Sequence, residues 1–429
     1  MSKFQIITLV VFILALIAGV IAFATYRTSS SSSQLPPITI WGTFPESTFT
    51  QYVSDLNNTL AQPITVTYVQ KSADTFETDF VKALALGQGP DAILIPADMI
   101  LPEQNKLTPI PYSALSQRTF MDSFIQEANI YLTPNGAIAV PFTIDPLVMY
   151  WNRDVFNAAG LSTYPVYWND FANLNKKLTV KDEHGNIRKT AVAMGSFSNI
   201  TNAREILGTL FLQSGNPITM GNVDGTAAST LKTTSGADPT SAVTFFSSFT
   251  DPSNANYSWN RALPDDKTFF LSGSLATYFG FASELSNLKS KNPNLNFDIA
   301  PLPHQKSGRA TALYGRMYGF SIVRATPNAN ATYQVISTLT SASALSHLSQ
   351  MMYLPTVLNS LDQNSNDPYL ANFDNAALIS RTWLDADPNQ SRRIFGSMID
   401  SIVSGQKNVN DAIQDASNEY DVILKQAGN

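Results

Sequence analysis

The segment from Val140 to Asn152 constrains the fold of this chain of 429 residues more than any other stretch. It reads VPFTIDPLVMYWN, which is apolar enough for a buried strand, yet it carries Asp145-Pro146 near its centre. Proline cannot donate a backbone hydrogen bond to a neighbouring strand, so it is rare inside a sheet. A single packed sheet gives no reason for an acid and a proline here, whereas a chain that passes from one domain into another does. The segment therefore predicts a crossing between domains.

The residues before this segment alternate between strand and helix patterns. Short apolar runs typical of strands lie at 38–41, 64–69 and 92–95. Apolar residues with helical spacing lie between these runs, at 46–61 and 76–84. The β-α-β-α-β order predicts an α/β fold with a mostly parallel sheet. Ligands of such sheets bind beyond the carboxyl ends of the strands, which here are 41–44, 70–71 and 96–98.

Local capping patterns predict where two helices begin. Asp74-x-x-Glu77 resembles a capping box, and Asn152 stands where its side chain can cap a helix over 153–159. Farther along, a strand pattern over 274–281 passes without a turn into a helix, as the first crossing does. From Pro327 onward the pattern is almost entirely helical.

The first residues predict a membrane segment. The run from Phe4 to Ala24 is almost continuously apolar and about as long as a ~30 Å hydrocarbon core requires. Ala22-Phe23-Ala24 also fits a signal cleavage site, so a removed secretory signal is the alternative, although such signals have a shorter apolar region of ~7–15 residues. We expect an uncleaved anchor or a signal over 1–27 and a flexible Ser/Pro linker over 28–37. Either way the globular part lies outside the cytoplasm.

Composition excludes several classes of function. The chain has no cysteine and only three histidines, which removes thiol catalysis and makes a metal site improbable, so we expect no cofactor. Its formal net charge is −6 and it has no Lys/Arg cluster, so we expect no nucleic acid partner. The sequence has none of four common enzyme motifs: the nucleophile elbow, the phosphate-binding loop, the dinucleotide fingerprint and the zinc protease motif. We therefore expect a binding protein and no enzyme.

Seven stretches in order resemble the family 1 extracellular solute-binding proteins of bacterial ABC importers, the class that includes maltose-binding protein. They are ITIWGTF, GQGPDAILI, VPFTIDPLVMYWNRDVFNAAGL, YWNDF, FFLSGSLATYFGF, YLPT and SGQKNVNDAI. The resemblance implies a two-lobed periplasmic-binding-protein type II fold with hinge crossings at 145–146, 279–282 and 337–341. It implies first-lobe residues at 38–144 and 281–338 and second-lobe residues at 145–280, with 339–429 mainly in the second lobe. It also implies a monomer that delivers a small polar solute, most often a sugar, to ABC permease subunits.

Ten residues are candidates for contacts with the solute. Sugars offer apolar ring faces to aromatic side chains and hydroxyl groups to polar side chains. The candidates are Trp41, Phe44, Glu46, Asp98, Asp145, Ser196, Phe281, Tyr314, Arg316 and Trp383. For each aromatic residue core packing is the alternative, and for the acids and Ser196 it is helix capping or support of the hinge strand.

One departure from the family pattern bears on the type of solute. Arg392 and Arg393 stand where several sugar-binding members have an aromatic pair, which puts maltodextrin-like stacking in doubt and leaves an anionic group on the ligand open. A cell-envelope adhesion or scaffold protein that keeps the fold but not transport is the alternative function. A glycosidase with two carboxylates across the cleft is a third reading.

Overall fold

The computed structural model describes residues 35–221, 226–232, 237–306, 311–359 and 367–428. The predicted membrane segment over Phe4–Ala24 and most of the linker lie outside these residues. Within them, no helix is long and apolar enough to cross a membrane.

The described residues form 15 strands and 14 α-helices. The strands are β1 (Ile38–Gly42), β2 (Val66–Gln70), β3 (Ala92–Pro96), β4 (Leu107–Thr108), β5 (Leu132–Thr133), β6 (Gly136–Ala137), β7 (Val140–Asn152), β8 (Val180–Lys181), β9 (Ile187–Val192), β10 (Thr219–Gly221), β11 (Ala227–Ser229), β12 (Leu275–Phe281), β13 (Phe297–Ala300), β14 (Leu313–Val323) and β15 (Ser380–Arg381). The helices are α1 (Glu46–Asn57), α2 (Phe76–Ala85), α3 (Gln117–Ser123), α4 (Arg153–Ala158), α5 (Phe171–Leu178), α6 (Ala203–Gln213), α7 (Thr240–Ser247), α8 (Asp266–Leu271), α9 (Leu285–Lys291), α10 (Ala329–Leu339), α11 (Ala342–Met352), α12 (Pro368–Leu378), α13 (Pro388–Val403) and α14 (Val409–Ala427).

The main sheet has the order β2-β1-β3-β14-β7-β12-β9-β8. Strand β1 pairs in parallel with β2 and β3, which confirms the predicted β-α-β-α-β unit. The two long strands β7 and β14 are antiparallel to each other and stand at the centre of the order. Every residue of β7 is buried, and the strand continues through Asp145-Pro146 without a break.

Two separate hydrophobic cores flank the middle of β7 and β14. Residues up to Ile144 pack in the core that also holds β1–β3, and residues from Leu147 pack in the core that holds β9, β12 and most C-terminal helices. On β14, Tyr314 packs in the second core and Met317 in the first. We call the parts built on these cores the first lobe and the second lobe. Both long strands therefore change lobe at paired positions, which agrees with the crossing expected at Asp145-Pro146.

The other two expected crossings lie elsewhere in the structure. Residues on both sides of 279–282, such as Phe279 and Leu285, pack in the second core, and that core extends to Tyr314. Leu339 and Leu345, on either side of 337–341, both pack in the first core. Hydrophobic pattern could not reveal these positions, because both lobes are α/β and bury similar residues. The second change of lobe occurs one long strand later than expected, at Gly315-Arg316.

Of the two predicted helix caps, one forms and the other does not. The Asn152 side chain accepts bonds from the backbone N–H groups of Asp154 and Val155 at 3.0 and 3.1 Å, which confirms its capping role. Helix α2 begins at Phe76, and its preceding residue makes no side-chain capping bond, so the predicted capping box is absent. Asp74 instead accepts a bond from the Asn389 side chain at 3.0 Å.

Replacing Gly42 with alanine should destabilise the fold by about 1–3 kcal/mol, because overpacking next to backbone cannot relax. A Cβ at Gly42 would overlap the carbonyl oxygen of Leu94 and lie 2.6 Å from the hydroxyl of Tyr68. Gly221→Ala is the control, since its nearest neighbour, Leu384, would lie at 3.9 Å. Denaturant unfolding of both variants checks the difference. Equal stability of the two variants would contradict the close strand packing described here.

Candidate ligand-binding site

A cleft of about 520 Å³ lies where the two lobes meet. The first lobe contributes residues that follow the carboxyl ends of β1, β2 and β3, and the second lobe contributes the start of α6 and the segment before α13. Arg316 and Tyr318 of β14 line it where the chain changes lobe. The cleft therefore occupies the edge of the sheet that the strand order predicts.

The lining of the cleft is strongly charged. Six carboxylate residues and three cationic residues line it, but Tyr318 is the only aromatic among the lining residues. The acids are Asp74, Glu77, Asp98, Glu103, Glu205 and Asp387, and the cations are Lys71, Arg204 and Arg316. Such a surface offers many hydrogen-bond acceptors and donors and little apolar area for stacking.

Arg204 at the start of α6 is the centre of a buried charge network. Its Nη2 lies 2.6 Å from Asp385 Oδ2 and 3.2 Å from Asp98 Oδ2, and its Nη1 lies 3.1 Å from Glu205 Oε1. Its Nε donates to the hydroxyl of Ser391 at 2.8 Å. The Arg204 side chain is 2% exposed. A guanidinium so deeply buried is stable only because several acceptors surround it.

Asp98 connects the two lobes through this network. It follows β3 in the first lobe, and it accepts bonds from Arg204 and from the hydroxyl of Tyr314, the latter at 2.8 Å. Arg204 and Tyr314 both lie in the second lobe. A second contact between the lobes, Asp74 to Asn389, lies in the same cleft. The carboxylate of Asp98 is therefore engaged by the protein itself.

Each cation that lines the cleft lies over an aromatic ring. The Lys71 Nζ is 4.0 Å from the centroid of Trp41. The guanidinium carbon of Arg316 is 4.1 Å from the centroid of Phe281, and that of Arg204 is 4.4 Å from Trp383. Cation–π attraction holds these side chains in place over the rings. The three rings are therefore covered by the protein's own cations.

Asp145 supports the hinge from below the cleft. Its two carboxylate oxygens accept bonds from the backbone N–H and the hydroxyl of Ser283, at 2.9 and 2.6 Å. It stands opposite Arg316 in the β7–β14 ladder. Burial raises the pKa of Asp145 to about 6, although Arg316 and the Ser283 bonds act in the opposite direction. Its observed contacts tie β7 to the segment after β12.

The structure separates the ten candidate residues into three groups. Asp98 and Arg316 line the cleft. Phe281, Tyr314 and Trp383 contact lining residues from beneath, and Asp145 stands opposite Arg316 in the β7–β14 ladder. Trp41 is half-buried under Lys71. The rest lie away from the cleft: Phe44 is 2% exposed in the first core, Glu46 borders a separate surface groove, and Ser196 is buried with its hydroxyl against Ser198.

The arginine pair of the sequence analysis does not line the cleft. Arg392 donates to the carbonyl oxygens of Phe197, Ile200 and Thr201, and Arg393 pairs with Glu419 at 2.9 Å. Neither arginine belongs to the residues that line the cleft. These two arginines therefore give no support for an anionic ligand in this cleft.

Sequence reasoning missed the residues that dominate the charge of the cleft. Arg204 and Glu205 are not among the ten candidates, although they stand in the first turn of α6, a helix that is almost wholly buried. An Arg-Glu pair at the start of so apolar a helix was the available signal, because a buried charge needs partners. Lys71 was assigned to a strand end without a role.

Among the described residues, no group of three or more potential ligands is arranged to hold a metal ion.

Comparison with solved structures shows that this fold is shared with proteins that bind sugars. One is a cyclo/maltodextrin-binding protein complexed with maltotetraose, at 15% identity and TM-score 0.71, covering 91% of this chain and 96% of that chain. The sugar-binding protein MalE from the phytopathogen Xanthomonas citri matches at 17% identity and TM-score 0.71, covering 91% and 98%. A cyclic α-maltosyl-1,6-maltose binding protein from Arthrobacter globiformis matches at 15% identity and TM-score 0.69, covering 91% and 99%. At these identities the likeness shows the fold.

The sequence also matches a family profile. The profile of bacterial extracellular solute-binding proteins covers residues 42–345, and a comparison with curated proteins gives no match. The matched range is more than two thirds of the chain, so the chain belongs to this family. The family consists of extracytoplasmic binding proteins and not of enzymes, which confirms the expectation from the motifs.

Proposed function

We propose that this extracellular solute-binding protein captures a carbohydrate and delivers it to the permease of an ABC importer. The observation that carries the proposal is the polar cleft between two separate cores, crossed by β7 and β14. The cleft is lined by carboxylates that can accept hydrogen bonds from hydroxyl groups and by cations that can donate to hydroxyl oxygens, and sugars offer both kinds of partner. The sugars in the names of the solved relatives support the same class of solute.

Capture occurs by closure of the two lobes about the paired crossings. A hinge of this kind needs few residues that change backbone angles, and Asp145-Pro146 and Gly315-Arg316 lie side by side in the ladder. A solute shifts the equilibrium towards the closed state only if it contacts both lobes. The cleft provides such contacts from the 72–78 segment on one side and the 386–389 segment on the other.

We further propose that the protein acts as a monomer held at the outer face of the membrane by the apolar run over Phe4–Ala24. The alternative is secretion after cleavage behind Ala24. N-terminal sequencing of the exported protein distinguishes the two, because a chain that begins at Thr25 would show cleavage.

One observation favours a second function, that of a cell-envelope scaffold. Asp98 of the first lobe is bonded to Arg204 and Tyr314 of the second, so the protein's own side chains join the two lobes. A scaffold would keep these contacts permanently and would have no affinity for small polar compounds. The experiment that tests transport capture also tests this alternative.

A thermal-shift screen of the full-length protein against monosaccharides, oligosaccharides, polyols and sugar acids is the direct test. We expect at least one compound to raise the melting temperature, because a ligand that binds only the folded state at 100 times its Kd stabilises it by about 2.7 kcal/mol. Isothermal titration then gives the Kd. We expect a micromolar value, which corresponds to a binding free energy of about −8 kcal/mol. If no compound in these classes raises the melting temperature, solute capture is contradicted and the scaffold function is favoured.

A further inference from the structure

The three cations of the cleft replace the aromatic surface that a neutral sugar would use. Trp41, Phe281 and Trp383 are each covered by Lys71, Arg316 or Arg204 at 4.0 to 4.4 Å from the ring centroid. A sugar ring cannot stack on a face that is already occupied. Recognition in this cleft therefore depends on the outward N–H groups of cations that the rings hold in place.

Of these three cations, Arg316 has the most hydrogen-bonding capacity left for a solute. Each of the three nitrogens of Arg204 already donates to an internal acceptor. Lys71 Nζ lies 3.9 Å from a carboxylate oxygen of Asp79. Arg316 forms neither a hydrogen bond nor an ion pair with any residue in the described part of the chain; its guanidinium lies over the Phe281 ring and interacts with the charge of Asp145 without a direct bond.

The acids nearest to Arg316 are engaged by other groups. Asp145 stands opposite it in the ladder, but both carboxylate oxygens of Asp145 accept bonds from Ser283. Glu205, on α6, accepts from Arg204. A half-buried guanidinium that faces a cleft without an acceptor carries a desolvation cost, which a carboxylate can remove with two parallel bonds.

The remaining acids of the cleft limit the charge of the solute. Asp74 lies just before α2, Glu77 lies in the first turn of α2, and both are exposed. Asp387 lies on the facing segment of the second lobe. Asp74 already accepts a bond from Asn389, and Asp387 accepts bonds from Asn389 and Gln390 as the cap of α13, but a carboxylate has about four lone-pair sites and can also accept from a hydroxyl group. The charge of these acids repels a second anionic group. The cleft therefore suits a molecule with one anionic end and a hydroxyl-rich remainder.

We propose that the solute is a sugar acid with a single carboxylate, which Arg316 binds at the hinge while Asp74, Glu77 and Asp387 accept bonds from its hydroxyl groups. This inference rests on the proposed function and names the class of its solute. It assigns Arg316 as the residue that distinguishes an acidic sugar from a neutral one.

Isothermal titration of the full-length protein tests the assignment. The probes are glucuronate, galacturonate and gluconate, each compared with glucose or galactose, and glucose 6-phosphate as a dianion. We expect at least one of the three carboxylates to bind ten or more times tighter than its neutral counterpart. Arg316→Gln should weaken that carboxylate by about 30-fold, the value of a charge-assisted bond, and leave the neutral sugar almost unchanged. Arg316→Lys, which keeps the charge but not the fork, should give an intermediate loss.

Arg393→Gln is the matched control, because this arginine pairs with Glu419 away from the cleft and its removal should leave every Kd unchanged. Circular dichroism and the melting temperature of each variant show whether it is folded. Three results would each overturn the sugar-acid inference and leave solute capture intact. They are equal affinity for the acid and the neutral sugar, an undiminished preference for the acid in a folded Arg316→Gln variant, and tighter binding of glucose 6-phosphate than of the carboxylates. If none of the six compounds binds, the sugar-acid inference also fails, and the wider screen decides whether solute capture fails with it.

Discussion

Replacing Arg204 with leucine should lower the free energy of unfolding by about 3–5 kcal/mol, the usual cost of removing one partner from a buried charge network. The substitution leaves Asp98, Asp385 and Glu205 without their common cation. Asp385 has 0% side-chain exposure and Asp98 has 6%, so water cannot replace the lost guanidinium. Denaturant unfolding followed by tryptophan fluorescence measures the change.

Arg393→Leu is the control for this experiment. Its side chain is 59% exposed and pairs with Glu419, and exposed pairs contribute about 0–1 kcal/mol. Arg204→Lys should lie between the two, since lysine keeps the charge but cannot reach three acceptors in one plane. If Arg204→Leu is as stable as Arg393→Leu, the network does not stabilise the contact between the lobes.

The free energy of unfolding of the unmodified protein should fall as pH rises from 5 to 9, and Glu127→Gln should reduce this fall. Burial raises the pKa of Glu127 to about 8, although the Thr382 N–H bond and Arg381 act in the opposite direction. The folded state therefore holds this proton where the unfolded chain, with a glutamate pKa near 4.3, has released it. The contribution of Glu127 to stability is complete below the unfolded value and is lost as pH rises to about 8.

Glu127 alone should contribute a loss on the order of 4 kcal/mol between pH 5 and 9 in the unmodified protein, and the glutamine variant should lack this contribution. Glutamine still accepts the 2.6 Å bond from the Thr382 N–H, so the geometry is kept. The difference between variant and unmodified protein isolates Glu127 from Asp145, Asp266 and Asp374, whose pKa values burial raises to about 6. Glu183→Gln on an exposed turn is the control, and parallel pH profiles for all three proteins would contradict the prediction.

Much of the fold could be predicted because local pattern reports local structure. The strands β1, β2 and β3 and the helices between them follow from apolar spacing, and the Asn152 cap follows from one residue. The position of the cleft follows from the direction of parallel strands. The second crossing was placed too early because burial pattern does not say which of two similar cores a strand enters.

The site was harder to predict because side-chain roles depend on neighbours that are distant in sequence. Trp383 has the residue type of a sugar platform, but Arg204, which is 179 positions away in the chain, covers its ring. Asp98 has the residue type of a hydroxyl acceptor, but Tyr314 and Arg204 both donate to its Oδ2. No spacing rule connects these residues.

The sequence by itself determined the β-α-β-α-β unit and the first crossing, because periodicity, turn residues and the acid-proline pair act over a few neighbouring residues. Only the tertiary structure decided what the space between the lobes can hold. Electrostatic and stacking contacts act through space between residues that are far apart along the chain, and they leave Arg316 as the cation with an open face.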